Sequence, residues 1–128
     1  MSTTIKAANV KLKRAYDPPE SADGVRILVD RLWPRGVKKD NAAIDQWMKE
    51  VAPSADLRKW FGHDPERWDE FYERYAKEVS QQPDQLQKLR ELARKGPITL
   101  VYSAHDEAHN NAIALKDMIL GRGKARQS

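Results

Sequence analysis

Val25-Arg26-Ile27-Leu28-Val29 runs directly into Asp30-Arg31-Leu32-Trp33-Pro34-Arg35-Gly36, and the reading of this junction decides the fold. The first run is rich in branched apolar side chains and reads as a buried strand over Val25 to Asp30. Asp30 stands where the strand should end, and two arginines then bracket a Trp-Pro pair that cannot continue regular structure. Loops at strand ends often carry function, and arginines held there suit an anion. The segment marks a site without naming a reaction.

Upstream, Asn9 to Tyr16 reads as a half-exposed strand, with Val10, Leu12 and Ala15 among Lys11, Lys13 and Arg14. The loop from Asp17 to Gly24 is too short for a helical crossover, so these two strands are either antiparallel or not adjacent. Downstream the pattern turns helical. Ile44, Trp47, Met48 and Val51 predict a helix ended by Pro53. Leu57, Trp60 and Phe61 follow Ser54, an expected N-cap, and Asp64-Pro65 opens a helix carrying Trp68, Phe71, Tyr72, Tyr75 and Val79. Leu86, Leu89 and Leu92 or Ala93 mark another, stopped by Gly96-Pro97. Ile98 to Tyr102 is an apolar strand, and Asp106 is placed to cap a last helix with Ala112, Leu115, Met118 and Ile119. The expected fold is α/β: a single small domain over residues 8–121, with a short, mostly parallel sheet of about three strands packed with about five helices. Residues 1–7 and 122–128 are expected to be flexible termini.

A length of 128 residues fits one domain, and 33% charged against 40% hydrophobic residues is an ordinary globular balance. No apolar run approaches the roughly 20 residues that span a bilayer. Met1 to Lys6 lack the apolar core of a secretory signal, and no cysteine is present, so a cytoplasmic location is expected. The net charge of +4 falls to +1 without Arg122, Lys124 and Arg126, the three cations of the tail. The excess charge therefore lies in a terminus that reads as solvated more than as a nucleic-acid patch. Trp47, Trp60 and Trp68 fall on helical apolar stripes and read as core. Trp33, in the loop, either wedges that loop against the body or walls a pocket.

Two strands end in polar residues: Asp30-Arg31 after one, and Ser103-Ala104-His105-Asp106 after the other. The long helical segment between them favours a parallel pair, whose carboxyl ends are where ligands collect in open α/β sheets. One mouth would then hold Asp30, Arg31, Trp33, Arg35, Ser103, His105, Asp106, His109 and Asn110. His105 and His109 sit four apart, but His105 precedes the helix and the second position of the zinc-protease motif lacks its glutamate. A helix N-terminus also favours anions over cations, so no metal and no cofactor are expected. The leading reading is a small phosphate- or nucleotide-like ligand held by Arg31, Arg35 and the start of the last helix. Its structural alternative has Arg31 paired with Asp30 or Asp106 as a brace.

A competing class is a metal-independent hydrolase, with Ser103 as nucleophile, His105 or His109 as base and Asp106 as its orienter. Ser103 lacks the nucleophile-elbow glycines that such a role commonly uses. A third class is a regulatory nucleic-acid-binding protein. Against it, no helix clusters basic residues and no compact helix-turn-helix signature is present.

Three stretches together resemble the YeaO-like family: Val29-Asp30-Arg31-Leu32-Trp33-Pro34-Arg35-Gly36; Trp47 with Ala52-Pro53-Ser54 and Leu57-Arg58-Lys59-Trp60-Phe61; and Leu100-Val101-Tyr102-Ser103-Ala104 with Asp106-Glu107 and His109-Asn110-Asn111-Ala112. These are small bacterial cytoplasmic proteins in the wider grouping called domain of unknown function 488, and the resemblance covers about Val10 to Leu120. It implies a compact α/β domain and supplies no activity, substrate or cofactor, so it raises no residue to catalytic status. Where the family pattern reads Ser-Ala-Lys-Asp, this chain has Ser103-Ala104-His105-Asp106. That departure counts against a required histidine base or metal ligand there, while a basic group still suits an anion. Larger relatives in the grouping carry a Cys-His-Arg cluster after the corresponding strand, and thiol chemistry cannot extend to a cysteine-free chain.

Overall fold

A computed structural model describes residues 5–121. The expectations for residues 1–4 and for the basic tail at 122–128 lie outside the described residues. Four strands form one parallel sheet: β1 (Val10–Arg14), β2 (Val25–Leu28), β3 (Gln46–Trp47) and β4 (Ile98–Tyr102), in the order β1-β4-β2-β3. β1 and β2 are indeed not adjacent, because β4 lies between them. Val10 and Val25 both sit beside Ile98, so the three longer strands start level, and β2 ends one residue before β1 and β4.

The strand period of two sorts the side chains cleanly. Val10, Ile27, Ile98, Leu100 and Tyr102 join the main core, while Leu28 and Val101 face the other way. The main core is closed by α2 (Ala55–Phe61), α3 (Trp68–Ser80), α4 (Pro83–Lys95) and α5 (Asn111–Leu120). Helix α3 turns Trp68, Phe71, Tyr72, Tyr75 and Val79 inward, as their spacing predicts. Ser54 caps α2 by accepting from the Leu57 amide at 3.2 Å, and Asp64 accepts from Glu66 ahead of α3.

The expected helix over Ile44 to Val51 is corrected by the structure. A short helix, α1 (Lys39–Ala42), ends at Ala43 in the left-handed region, and Gln46–Trp47 adds the fourth strand. The Asp45 amide donates to the Arg26 carbonyl while the Asp45 carboxylate accepts from the Arg26 amide, and these bonds, together with the Met48 amide bond to Leu28, hold this segment as a strand. The reason is packing: Met48 and Val51 enter the main core, whereas Ile44 and Trp47 pack on the opposite face of the sheet. The helical spacing there joins two different cores instead of one stripe. Trp47 meets Trp33 edge to face at 5.5 Å between centroids, over Ala15, Leu28 and Val101.

The amino ends of β2 and β4 are tied by a buried polar cluster on that second face. Asp23 accepts from Arg26 at 2.6 Å and from Lys13 at 3.1 Å, and Arg26 also donates to the Ala42 carbonyl. Thr99 donates to the Asp23 carbonyl at 2.7 Å. Gly24 is required here: its φ is +66°, and a Cβ would fall 2.0 Å from the Pro97 carbonyl oxygen.

Candidate anion site at the strand carboxyl ends

Because β2 and β4 are neighbours that run parallel, Asp30-Arg31 and Ser103-Ala104 leave the sheet at the same end. A cleft of about 730 Å³ opens there. Asp30, Arg31, Trp33, Arg35, Ser103, His105, Asp106 and Asn110 all line it. His109 does not: its ring packs edge to face on Trp68 at 5.4 Å, and its Nδ1 donates to Asp106 at 2.9 Å.

The floor is a carboxylate clamp. Asp30 Oδ2 accepts from the Ser103 amide at 2.9 Å and from the Ser103 hydroxyl at 2.8 Å. Asn111 donates to the Val29 carbonyl at 3.0 Å, joining the start of α5 to the same strand end. The fully buried Tyr75 donates to the Val51 carbonyl beneath this floor. Burial first, and the charge of Asp30 next, raise its phenol well above the usual range.

Arg31 pairs with neither Asp30 nor Asp106. Its Nε donates to the Pro53 carbonyl at 3.3 Å and the side chain is otherwise exposed to the cleft. The alternative in which Arg31 braces Asp30 or Asp106 is therefore not what the structure shows, and the loop is secured by other means. Trp33 donates to the Val37 carbonyl at 2.6 Å, and Trp47 donates to the Asp30 carbonyl at 2.8 Å. Trp33 thus does both things expected of it, wedging the loop onto the sheet and lining the cleft.

Asp106 does not cap α5. The cap is Asn110, whose Oδ1 accepts from Ile113 at 3.0 Å. Asp106 instead closes the preceding turn, accepting from Ala108 at 2.9 Å and from His109 at 3.1 Å. The Ala108 amide foremost, then His109, hold its carboxyl below the usual value of 3.8. The physical reason is length: three residues separate Asp106 from the true cap, so a turn is interposed before the helix.

His105 lies on the other side of the strand end, where its Nδ1 receives a hydrogen bond from Arg14 at 3.3 Å. An arginine can only donate, so Nδ1 is the accepting nitrogen in this arrangement. The Ser103 hydroxyl is given to Asp30 and not to a histidine. The serine, histidine and aspartate named from the sequence are near one another but do not form a nucleophile–base pair. Among the described residues, no group of three or more histidine, aspartate or glutamate side chains is placed to hold a metal ion.

The sequence reading missed the second bank of the cleft. Arg58, Lys59 and Phe61 from α2, with His63 just beyond it, face the Trp-Pro loop. Arg58 and Lys59 fall between the apolar positions Leu57, Trp60 and Phe61 of α2, and neither is among the site residues expected from the sequence. Gly62 and His63 both take positive φ, +53° and +58°, which turns the chain sharply at the rim. The lining carries four permanent cations, Arg31, Arg35, Arg58 and Lys59, against two carboxylates, Asp30 and Asp106.

These features define a small all-parallel α/β domain with a cationic cleft at the carboxyl ends of its central strands. Residues 9–128 match the family described as the inactive DUF488-N3 subclade, and the chain belongs to that family. It is 46% identical over 111 residues to the uncharacterised protein YeaO of Escherichia coli, an alignment spanning 87% of this chain and 96% of that one. It is 38% identical over 118 residues to uncharacterised proteins of Mycobacterium bovis and Mycobacterium tuberculosis, covering 92% of this chain and 99% of each. No solved structure matches the chain. Among the described residues no helix is long and apolar enough to cross a membrane.

Proposed function

We propose that this domain binds a small phosphate- or nucleotide-like anion at the strand carboxyl ends and does no chemistry on it. The observation that carries this reading is the excess of cations in the cleft, with both carboxylates already engaged. Asp30 is held by Ser103, and Asp106 by the amides of Ala108 and His109. Arginines on the loop and on α2 flank the space, so an anion between them meets charge from two sides. The description of the family as inactive supports binding over catalysis. Supporting a small ligand over nucleic acid is the near-neutral charge of the chain outside its tail. We take the setting to be cytoplasmic, in keeping with a chain that has no cysteine to oxidise.

The test is calorimetric titration with inorganic phosphate and with adenosine monophosphate at low salt. Saturable binding is expected, weakened about tenfold or more by Arg31→Ala, since a charge-assisted hydrogen bond contributes about 1.5–3 kcal/mol. The apo melting temperature of that variant stays close to wild type, because Arg31 makes one long bond and is exposed. No saturable binding by either anion overturns the proposal. Turnover of an ester or phosphate substrate that Ser103→Ala abolishes would replace it with the hydrolase reading.

A further inference from the structure

Among the described residues, Tyr16 and Leu32 are the large hydrophobic side chains left exposed, at 46% and 62%, and both line this one cleft. Tyr16 is not loose for all its exposure. Its hydroxyl donates to the Arg35 carbonyl at 3.0 Å, and the Arg14 guanidinium lies 4.9 Å from its ring centroid. A ring pinned at its tip and backed by a cation has already lost its rotational freedom, so stacking on it costs little further entropy. The same bond places the Tyr16 tip at the Arg35 backbone, one step from the charges of the loop.

We propose that the ligand is a nucleoside phosphate, with its base stacked on Tyr16 beside Leu32 and its phosphate held by Arg31 and the cations of α2. This rests on the anion reading above and narrows it to one ligand class. A bare phosphate would leave the exposed ring and the leucine in water, and would occupy a small part of a cleft of about 730 Å³. That volume is typical of pockets for whole cofactor-sized molecules. Every nucleobase has a flat face that an aromatic ring can take, whereas the sugar and phosphate need polar partners. Tyr16 is therefore the residue that distinguishes a nucleotide from other phosphates.

Three ligands separate the possibilities by calorimetry: adenosine monophosphate, ribose 5-phosphate and inorganic phosphate. Wild type is expected to prefer the nucleotide over ribose 5-phosphate by about tenfold, the scale of one base–aromatic stack. Tyr16→Ala removes that preference and leaves the ribose 5-phosphate affinity unchanged, while Tyr16→Phe, which keeps the ring but loses its bond to Arg35, keeps most of the preference. Equal binding of the nucleotide and the sugar phosphate by wild type overturns the base contact and leaves the anion site standing. Equal loss of both ligands in Tyr16→Ala also overturns it, since the ring would then only support the loop. Binding of none of the three removes both proposals. A hexathymidylate bound a hundredfold more tightly than the nucleotide, with steep salt dependence, would replace the mononucleotide by a single strand.

Discussion

Asp30 and Ser103 join the ends of two neighbouring parallel strands through one carboxylate oxygen, which receives the serine amide at 2.9 Å and its hydroxyl at 2.8 Å. Hydrogen bonds to a charged acceptor contribute about 1.5–3 kcal/mol each. Asp30→Ala is therefore expected to lower stability by about 2–4 kcal/mol, and Ser103→Ala, which keeps the amide bond, by about 1–2 kcal/mol. Urea unfolding of the two variants checks this order. A Ser103→Ala loss as large as that of Asp30→Ala would show that the clamp depends on the hydroxyl alone.

The carboxylate of Asp106 gives the turn before α5 a pH dependence of definite sign. Its folded-state pKa lies below the ordinary value of 3.8, because the Ala108 amide, then His109, favours the charged form. A depressed carboxylate contributes stability that is complete above its unfolded pKa and is lost as pH falls through the folded one. The stability gap between wild type and Asp106→Ala should be level from neutral pH down to about 5 and shrink below 3.8. Thermal melts between pH 3 and 7 measure it, and a gap that widens in acid would contradict the assignment.

Much of this arrangement was legible in the residues. Ile98 to Tyr102 and Val25 to Val29 are apolar enough to be central strands, and the long helical interval between them favours a crossover and the parallel pair that the structure has. That inference alone brings Asp30 and Ser103 together. Two kinds of fact were not legible. One is sidedness at the sheet edge: Ile44, Trp47, Met48 and Val51 have helical spacing, yet they divide between opposite faces of the sheet around the two-residue strand Gln46–Trp47. The other is the approach of segments distant in sequence. Nothing local distinguishes Arg58 and Lys59 from ordinary exposed helix residues until α2 is placed across from the Trp-Pro loop.

Gly24 is a case where a loop glycine hides a contact between strands. Its φ of +66° strains any other residue, and a methyl group would overlap the Pro97 carbonyl, 2.0 Å away. The same region carries the Val25 amide bond to Pro97 at 3.1 Å, which sets the start of the β2–β4 ladder. Gly24→Ala is expected to cost about 3 kcal/mol or more, by strain and by displacement of this junction. Gly36 also has positive φ but nothing within 4 Å of a Cβ, so Gly36→Ala should cost about 1 kcal/mol, from the backbone alone. Chemical denaturation of the pair tests the distinction. Equal losses would mean that backbone conformation, and not the approach of Pro97, makes Gly24 necessary.

Glu78 on α3 governs the bank of the cleft that the sequence concealed. Its two carboxylate oxygens accept from the Ser54 amide at 2.8 Å and from the Ser54 hydroxyl at 2.6 Å, while Ser54 caps α2. The carboxylate therefore fixes where α2 begins, and so where Arg58 and Lys59 stand. Glu78→Ala removes both bonds and is expected to cost about 2–4 kcal/mol, against about 1–2 kcal/mol for Ser54→Ala, which loses the cap and one bond. Phosphate affinity should fall in both variants although neither residue lines the cleft. Arg58→Ala gives the contrasting pattern, with weaker phosphate binding and a melting temperature near that of wild type. If Glu78→Ala destabilises the fold but leaves phosphate affinity intact at a temperature where the protein is fully folded, then α2 holds its place without the latch, and its cations are not set by α3.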